Sequence, residues 1–350
     1  MDNKLDYMQN TDDEISLKEL FMALWRQKIL IISITLIATI LTGIISVFFI
    51  TPVYHAKLNI VINMPETYTT KYGDYSLPIT TNQQYINIIT SNSIITNTIK
   101  DMGYGEDMTI EMMRDRITIG QVTTTAASPE QNSFEVKVAA DNPEEARKLA
   151  SALYENYVKF IDVMTIEGAI KFYTNDYEVK IRSSQVELKS NEEILVKNEE
   201  LLRVTPQTIN QKEAANEING QDNVSNYIIL ENIINPNYTK IEADIIANKQ
   251  NINAIENNIE KYNDYLTGLK NAQATVTNYY ETGDFTELED TLVSVTKTSI
   301  YLPSEPVAPS RKTSPSNAKN VIIGGVLGGM ISVLIALVKE YWFTKEKSDE

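Results

Sequence analysis

The chain has 350 residues, 43% of them hydrophobic, a formal net charge of −16, no cysteine and one histidine, His55. The apolar share is enough for a folded core, so a disordered chain is excluded. Without cysteine there is no disulfide or thiolate metal site, one histidine cannot complete a metal site or a catalytic triad, and the acidic balance argues against nucleic acid, so neither cofactor nor metal is expected.

In chain order, residues 1–28 read as a cytoplasmic N-terminal segment and residues 29–50 as a first transmembrane helix. Ile29 to Ile50 carries no charged side chain, and a helix of that length covers about 33 Å, matching a hydrocarbon core of roughly 30 Å. It is too long and too far from the start for a secretory h-region, and no A-x-A site follows. Lys18, Arg26 and Lys28 precede it while only Lys57 follows closely, so the positive-inside rule puts the N-terminus in the cytoplasm.

Residues 51–165 read as an extracytoplasmic α/β base domain. Tyr54, Ala56, Leu58, Ile60, Ile62 and Met64 alternate as on a strand. The stretch 67–78, TYTTKYGDYSLP, reads as a loop. Tyr85, Ile88, Ile89, Ile95, Ile99 and Met102 then recur at helical spacing up to Gly103. A short helix over Thr109 to Asp115 and strands over Ile117 to Val122 and around Phe134, Val136 and Val138 follow. A helix start is marked by Asp141 or Asn142 as cap, Pro143 in the first turn, and Glu144 and Glu145 at the positive dipole end.

Residues 166–275 read as a long helical hairpin with an irregular tip over 206–237. On the outgoing arm Ile181, Leu188, Leu195 and Leu202 repeat every seven residues, interleaved with Tyr177, Ser184, Asn191 and Asn198. The returning arm keeps alternating 3 and 4 spacing through Tyr238, Ile241, Ile245, Asn248, Ile252, Ile255, Ile259, Tyr262, Leu266 and Leu269. Ile241 to Ile259 make a coiled-coil seam in which Asn248 is the polar register mark. The stripe suits a partner arm of the same chain and an intermolecular coil equally.

Residues 276–320 read as a return strand, TLVSVTKTSIYLP, and a stiff linker holding Pro303, Pro306, Pro309 and Pro315. Residues 321–338 make a second transmembrane helix, and residues 339–350 a tail brought back into the cytoplasm. Gly324 and Gly328, like Gly325 and Gly329, are four apart, so one face is bare enough for close approach of another helix. The fold class is an α+β membrane protein whose two transmembrane helices flank the base domain and its hairpin.

Catalytic motifs are missing. There is no G-x-x-x-x-G-K-[ST], G-x-S-x-G or H-E-x-x-H, and Glu192, Glu193, Glu199 and Glu200 lie on a helix face as solvated surface, so no enzyme is expected. The ends of the chain resemble those of the polysaccharide chain-length determinant (Wzz-type) family, the polysaccharide co-polymerases. Leu17, Leu20, Leu24, Trp25, Arg26 and Lys28 make the approach to the first span, and Pro52, Tyr54 and Ala56 begin the strand after it. DNPEEARKLASAL is similar to the family's D-x-x-x-A-x-x-x-A-N start, with Ser151 where Asn is usual. Ser314, Pro315, Ala318 and Lys319 match the Pro-rich signature before the Gly-rich span.

The resemblance implies a homo-oligomer of the inner membrane that regulates how long a polysaccharide polymerase extends its lipid-linked product, without catalysing extension. The product class would be lipopolysaccharide O-antigen, capsule or exopolysaccharide. It further implies a cytoplasmic tyrosine kinase as a conceivable partner, near Tyr341 and Trp342. Two other readings stand beside it: a helical-hairpin adaptor or stalk of an envelope export machine, and a transmembrane modulator of a separate tyrosine kinase in polysaccharide export.

Overall fold

The computed structural model describes residues 17–120, 132–210, 232–289 and 295–343. They fall into two units, one made of residues up to Val61, Ile86–Asn156 and the chain from Leu302 on, the other of Ile62–Tyr85 and Tyr157–Tyr301. The fold is α+β, with long helices and small sheets.

In the first unit, strand β1 (Tyr54–Ile62) carries the alternation of its sequence into space, burying Ala56, Leu58 and Ile60. Its antiparallel partner β5 (Ser133–Ala140) sets Val138 opposite Ala56, Val136 opposite Leu58 and Phe134 opposite Ile60. Cross-strand apolar pairs of this kind fix the register, because a one-residue slip would turn every one of them to solvent. β4 (Ile117–Ile119) pairs with β5 on its other side; Val122, expected in that strand, lies outside the described residues. Helix α6 (Pro143–Val204) starts as its sequence requires: the Asn142 side chain accepts the Glu145 N–H at 2.8 Å, so Asn142 rather than Asp141 is the cap. Ala146, Leu149, Ala150 and Leu153 are buried one turn apart on its inner face.

Several expectations are corrected. The stretch 67–78 is not a loop but a hairpin, β2 (Thr67–Thr70) against β3 (Gly73–Ser76), with Tyr68 opposite Tyr75 and both rings buried. The single helix expected over 85–102 is two, α3 (Asn82–Ile88) and α4 (Asn92–Asp101), separated at the polar Thr90 and Ser91. The helix over 109–115 is α5 (Ile110–Asp115), capped by the Thr109 side chain. The boundary between base and hairpin at 165 and 166 falls inside α6, which runs unbroken for 62 residues; after Pro143 no proline interrupts it.

In the second unit, from Tyr157 on, α6 pairs antiparallel with α7 (Pro236–Thr282), which Asn235 caps and Gly283, at φ +78, terminates. Of the expected tip, residues 211–231 lie outside the described residues; on either side β6 (Thr208–Ile209) and β7 (Ile233–Ile234) pair antiparallel. The helices and the β2–β3 hairpin share one core, in which Tyr68, Tyr72 and Tyr75 meet Ile166, Ile170, Tyr173 and Tyr177 of α6 and Leu269, Ala272 and Val276 of α7. The rings pack edge to face and offset: Tyr72 on Tyr265 at 5.5 Å, Tyr177 on Tyr262 at 5.4 Å.

After α8 (Thr286–Glu289) the expected return strand is instead a short helix, α9 (Thr296–Ser299), followed by a two-residue strand, β8 (Ile300–Tyr301). The cause is Asp162. Its buried carboxylate accepts the Thr296 N–H at 3.0 Å and the Thr296 hydroxyl at 2.6 Å, which holds the chain in a turn where an extended strand would break both bonds.

Candidate functional site: paired apolar helices and a polar-marked seam

Two helices of the first unit are long and apolar enough to cross a membrane: α2 (Lys28–Phe48) and α10 (Asn317–Val338), the latter continuing into a π-helical turn at Lys339–Phe343. They pack against each other, antiparallel, through small residues. On α10 the inward line is Gly324, Gly328, Ser332 and Ala336, each four residues from the last and each buried. Facing it on α2 are Thr35, Ala38, Thr42 and Ser46. A Cβ placed on Gly324 would lie 2.5 Å from the Thr42 Cβ, and one on Gly328 would lie 2.5 Å from the Ala38 Cβ, so only glycine lets the backbones approach this closely.

The four sequence-predicted glycines therefore divide. Gly324 and Gly328 form the contact; Gly325 and Gly329 sit at its flank, where an added Cβ would meet the Thr39 and Thr35 hydroxyls at 3.2 and 3.9 Å. The partner face on α2 is not evident from the sequence, although ITLIATILTGIIS carries it as small residues three or four apart. The polar atoms in this contact are satisfied. Thr35, Thr39 and Thr42 donate back to the carbonyls of Ile31, Thr35 and Ala38 at 2.7–2.8 Å, and Thr35 Oγ1 shares a hydrogen bond with Ser332 Oγ at 3.2 Å. The remaining faces are exposed and largely apolar, with Ile32, Leu36, Ile40, Val326, Leu327 and Leu334.

Each end of the pair is closed by polar side chains. At one end Glu340 accepts from Arg26 at 3.2 Å and from Gln27 at 3.0 Å. At the other, Asn320 donates to Ser46 at 2.9 Å, Ser46 donates to Asn317 at 3.1 Å, and the Lys312 ammonium donates to the same Asn317 oxygen at 3.0 Å. Beside this node Val53 and Ser314 form a bridge, with Val53 N–H on Ser314 O and Thr313 N–H on Val53 O, both 2.8 Å. The proline segment thus ends pinned. Pro306 and Pro315 are buried, Pro309 is half-buried and Pro303 is exposed.

In the second unit the seam residues behave as one stripe. Ile245, Asn248 and Ile255 are buried and Ile241, Ile252 and Ile259 half-buried, while the residues between them on α7 are exposed. Their counterparts on α6, Ile181, Ser184, Leu188, Asn191, Leu195, Asn198 and Leu202, are the half-buried positions of that arm. Asn248 donates from Nδ2 to the carbonyl of Asn191 at 3.0 Å, so the polar mark is satisfied within the chain. Burial holds several tyrosines of this unit protonated: Tyr68, Tyr85 and Tyr177 are each pushed up to about 12, in every case first by loss of solvent. Among the described residues no group of three or more His, Asp or Glu could hold a metal.

Residues 13–102 match the family model described as Wzz, chain length determinant protein. By that segment the chain is similar to the Wzz family. The Wzz match takes in α1 (Leu17–Arg26), α2, β1, the β2–β3 hairpin and the two helices after it. The chain is also 30% identical over 165 residues, 45% of its own length, to a Bacillus subtilis (strain 168) protein named probable capsular polysaccharide biosynthesis protein YwqC, and spans 61% of that relative's length. Among solved structures it is similar to a full-length bacterial polysaccharide co-polymerase, with 14% identity, a TM-score of 0.44 and 93% and 97% of the two chains covered. A second is the wild-type Shigella flexneri lipopolysaccharide O-antigen chain-length regulator WzzBSF, with 11% identity, a TM-score of 0.31 and coverages of 74% and 99%.

Proposed function

We propose that this chain is a Wzz-type, non-enzymatic regulator of surface polysaccharide length, working as a homo-oligomeric scaffold on a separate polysaccharide polymerase in the plasma membrane. The observation that carries the reading is the family match over residues 13–102, the segment that builds the first apolar helix and the strand beyond it. The helix pair supports it: glycine-tight packing and satisfied polar groups at both ends suit two segments of one protein crossing a bilayer together.

Both termini lie in the cytoplasm in this reading and the bulk of the chain outside it, since Lys18, Arg26 and Lys28 cluster before the first span. The kinship with a capsular polysaccharide protein favours length control over an export stalk. A tyrosine kinase would enter only as a partner at the cytoplasmic ends. Deleting the gene and resolving the cell-surface polysaccharide on a gel tests the function. The expected result is a changed length distribution, restored by the intact gene; an unchanged distribution refutes it.

A further inference from the structure

The chain is strongly acidic, yet the part of it that builds the helix pair and its outer end is not. Between Glu19 and Glu66, and again between Glu305 and Glu340, there is no carboxylate at all. At the end of the pair marked by Ser46 and Asn317, three cations gather in this acid-free stretch: Arg311, Lys312 and Lys319. None has a carboxylate partner among the described residues, whereas Lys57, the next cation on the same side, is paired with Glu135 at 3.1 Å.

Nor are these three on a loose linker. The Val53–Ser314 bridge fixes the backbone just after Arg311 and Lys312, Pro315 is buried, and Lys319 stands in the first turn of α10 beneath the Ser316 cap. Lys312 gives one proton to Asn317, inside the Ser46–Asn320 node, and an ammonium has three to give. Arg311 and Lys319 are exposed.

Cations on this side run against the bias that places Lys and Arg on the cytoplasmic side, at the depth where lipid headgroups begin. A phosphate there meets a fixed positive collar in a chain whose remaining charge would repel it. We infer that Arg311, Lys312 and Lys319 form a binding collar for the phosphate of a lipid lying beside the helix pair. The shared chemistry is a phosphate ester held at the membrane surface; its two sources are an anionic phospholipid headgroup and the phosphate of a polyprenyl carrier. The inference rests on the reading of α2 and α10 as membrane spans.

The test is native mass spectrometry of the full-length protein in detergent, titrated separately with phosphatidylglycerol, a polyprenyl phosphate and the net-neutral phosphatidylcholine. Each membrane-surface cation contributes about fivefold to binding an anionic lipid, so Arg311→Gln with Lys319→Gln should cost on the order of 25-fold and the addition of Lys312→Gln on the order of 100-fold. The double variant leaves the Lys312–Asn317 bond in place, so it reads the collar without disturbing the fold, and Lys312→Arg in the otherwise intact chain, which keeps the charge, should retain lipid as the parent does. Equal loss of phosphatidylglycerol and polyprenyl phosphate assigns a general headgroup site, and tenfold or greater preference for polyprenyl phosphate assigns the carrier. Unchanged retention in the double variant, or retention of phosphatidylcholine equal to both, overturns the collar. Lipid retention is read without any polymer, so a failure here is separate from a failure of length control.

Discussion

Replacing Gly328 with leucine tests the helix pair most directly. A Cβ alone would stand 2.5 Å from that of Ala38, against about 3.5–4.0 Å for carbon atoms at optimal separation. The helices must therefore part by roughly an ångström before the rest of the side chain is placed. Overpacking of this size costs about 1–3 kcal/mol, and separation also strains the Thr35–Ser332 bond, a contact worth about 0.6 kcal/mol inside a membrane. A loss near 2 kcal/mol lowers the pairing constant about 30-fold. The chain contains no cysteine, so Thr35→Cys with Ser332→Cys gives a clean reporter, with disulfide yield read by blocking of maleimide labelling in membranes. The parent pair should close almost fully within one chain. Gly328→Leu should cut the yield several-fold, and Gly329→Ala should leave it unchanged. A disulfide that joins two chains instead of one, or equal yields in the two glycine variants, would refute the antiparallel pairing.

Asp162→Ala removes a buried acceptor from both Thr296 donors and should cost about 3 kcal/mol, seen as a fall in the circular-dichroism melting midpoint of the detergent-solubilised protein; coupling near zero in a cycle with Thr296→Val would contradict the link. Asn248→Ala leaves the Asn191 carbonyl without its side-chain donor and should weaken the hairpin by about 1 kcal/mol, while Asn248→Ile should also alter the assembly mass measured in detergent; no effect of either would show that the polar mark is idle. The tyrosine shifts set an alkaline limit. A phenol whose folded pKa is raised contributes stability in full below its ordinary value of 10.0 and loses it as pH climbs towards 12. Absorbance at 295 nm should therefore show Tyr68, Tyr85 and Tyr177 ionising late and together with loss of helix; ionisation of all tyrosines near 10 with the fold intact would falsify that.

What the sequence disclosed follows from periodicity. The alternation of β1, the seam from Tyr238 to Leu269 and both apolar helices were legible because each repeats one local rule along its length. The four-residue spacing of Gly324 and Gly328 likewise announced a close contact, though not its partner. That partner was hidden because the threonines of α2 look polar until their hydroxyls are seen bonded back to the carbonyls four residues before. Residues 67–78 looked like a loop for a related reason. Strands of four residues are too short to show a period, and they become a hairpin only because Tyr68 and Tyr75 have a helical surface to bury against. The short helix at Thr296 depends on a carboxylate 134 positions away, a relation no local pattern records. The Arg26–Glu340 and Asn320–Ser46 contacts are also long-range, and only the antiparallel packing reveals them.

The antiparallel pair also has a meaning in time. In the proposed membrane reading, synthesis delivers α2 to the bilayer first, and all of residues 49–316 must follow before α10 exists to meet it. The small-residue face of α2 thus waits in lipid with its threonines already satisfied by their own helix, a state that needs no partner to be tolerable. Closing so long a loop is not the obstacle it looks, since doubling loop length adds only about 0.6 kcal/mol. The pair is then a late joint in the order of synthesis, and a lesion at Gly328 would leave the segments made before α10 free to fold.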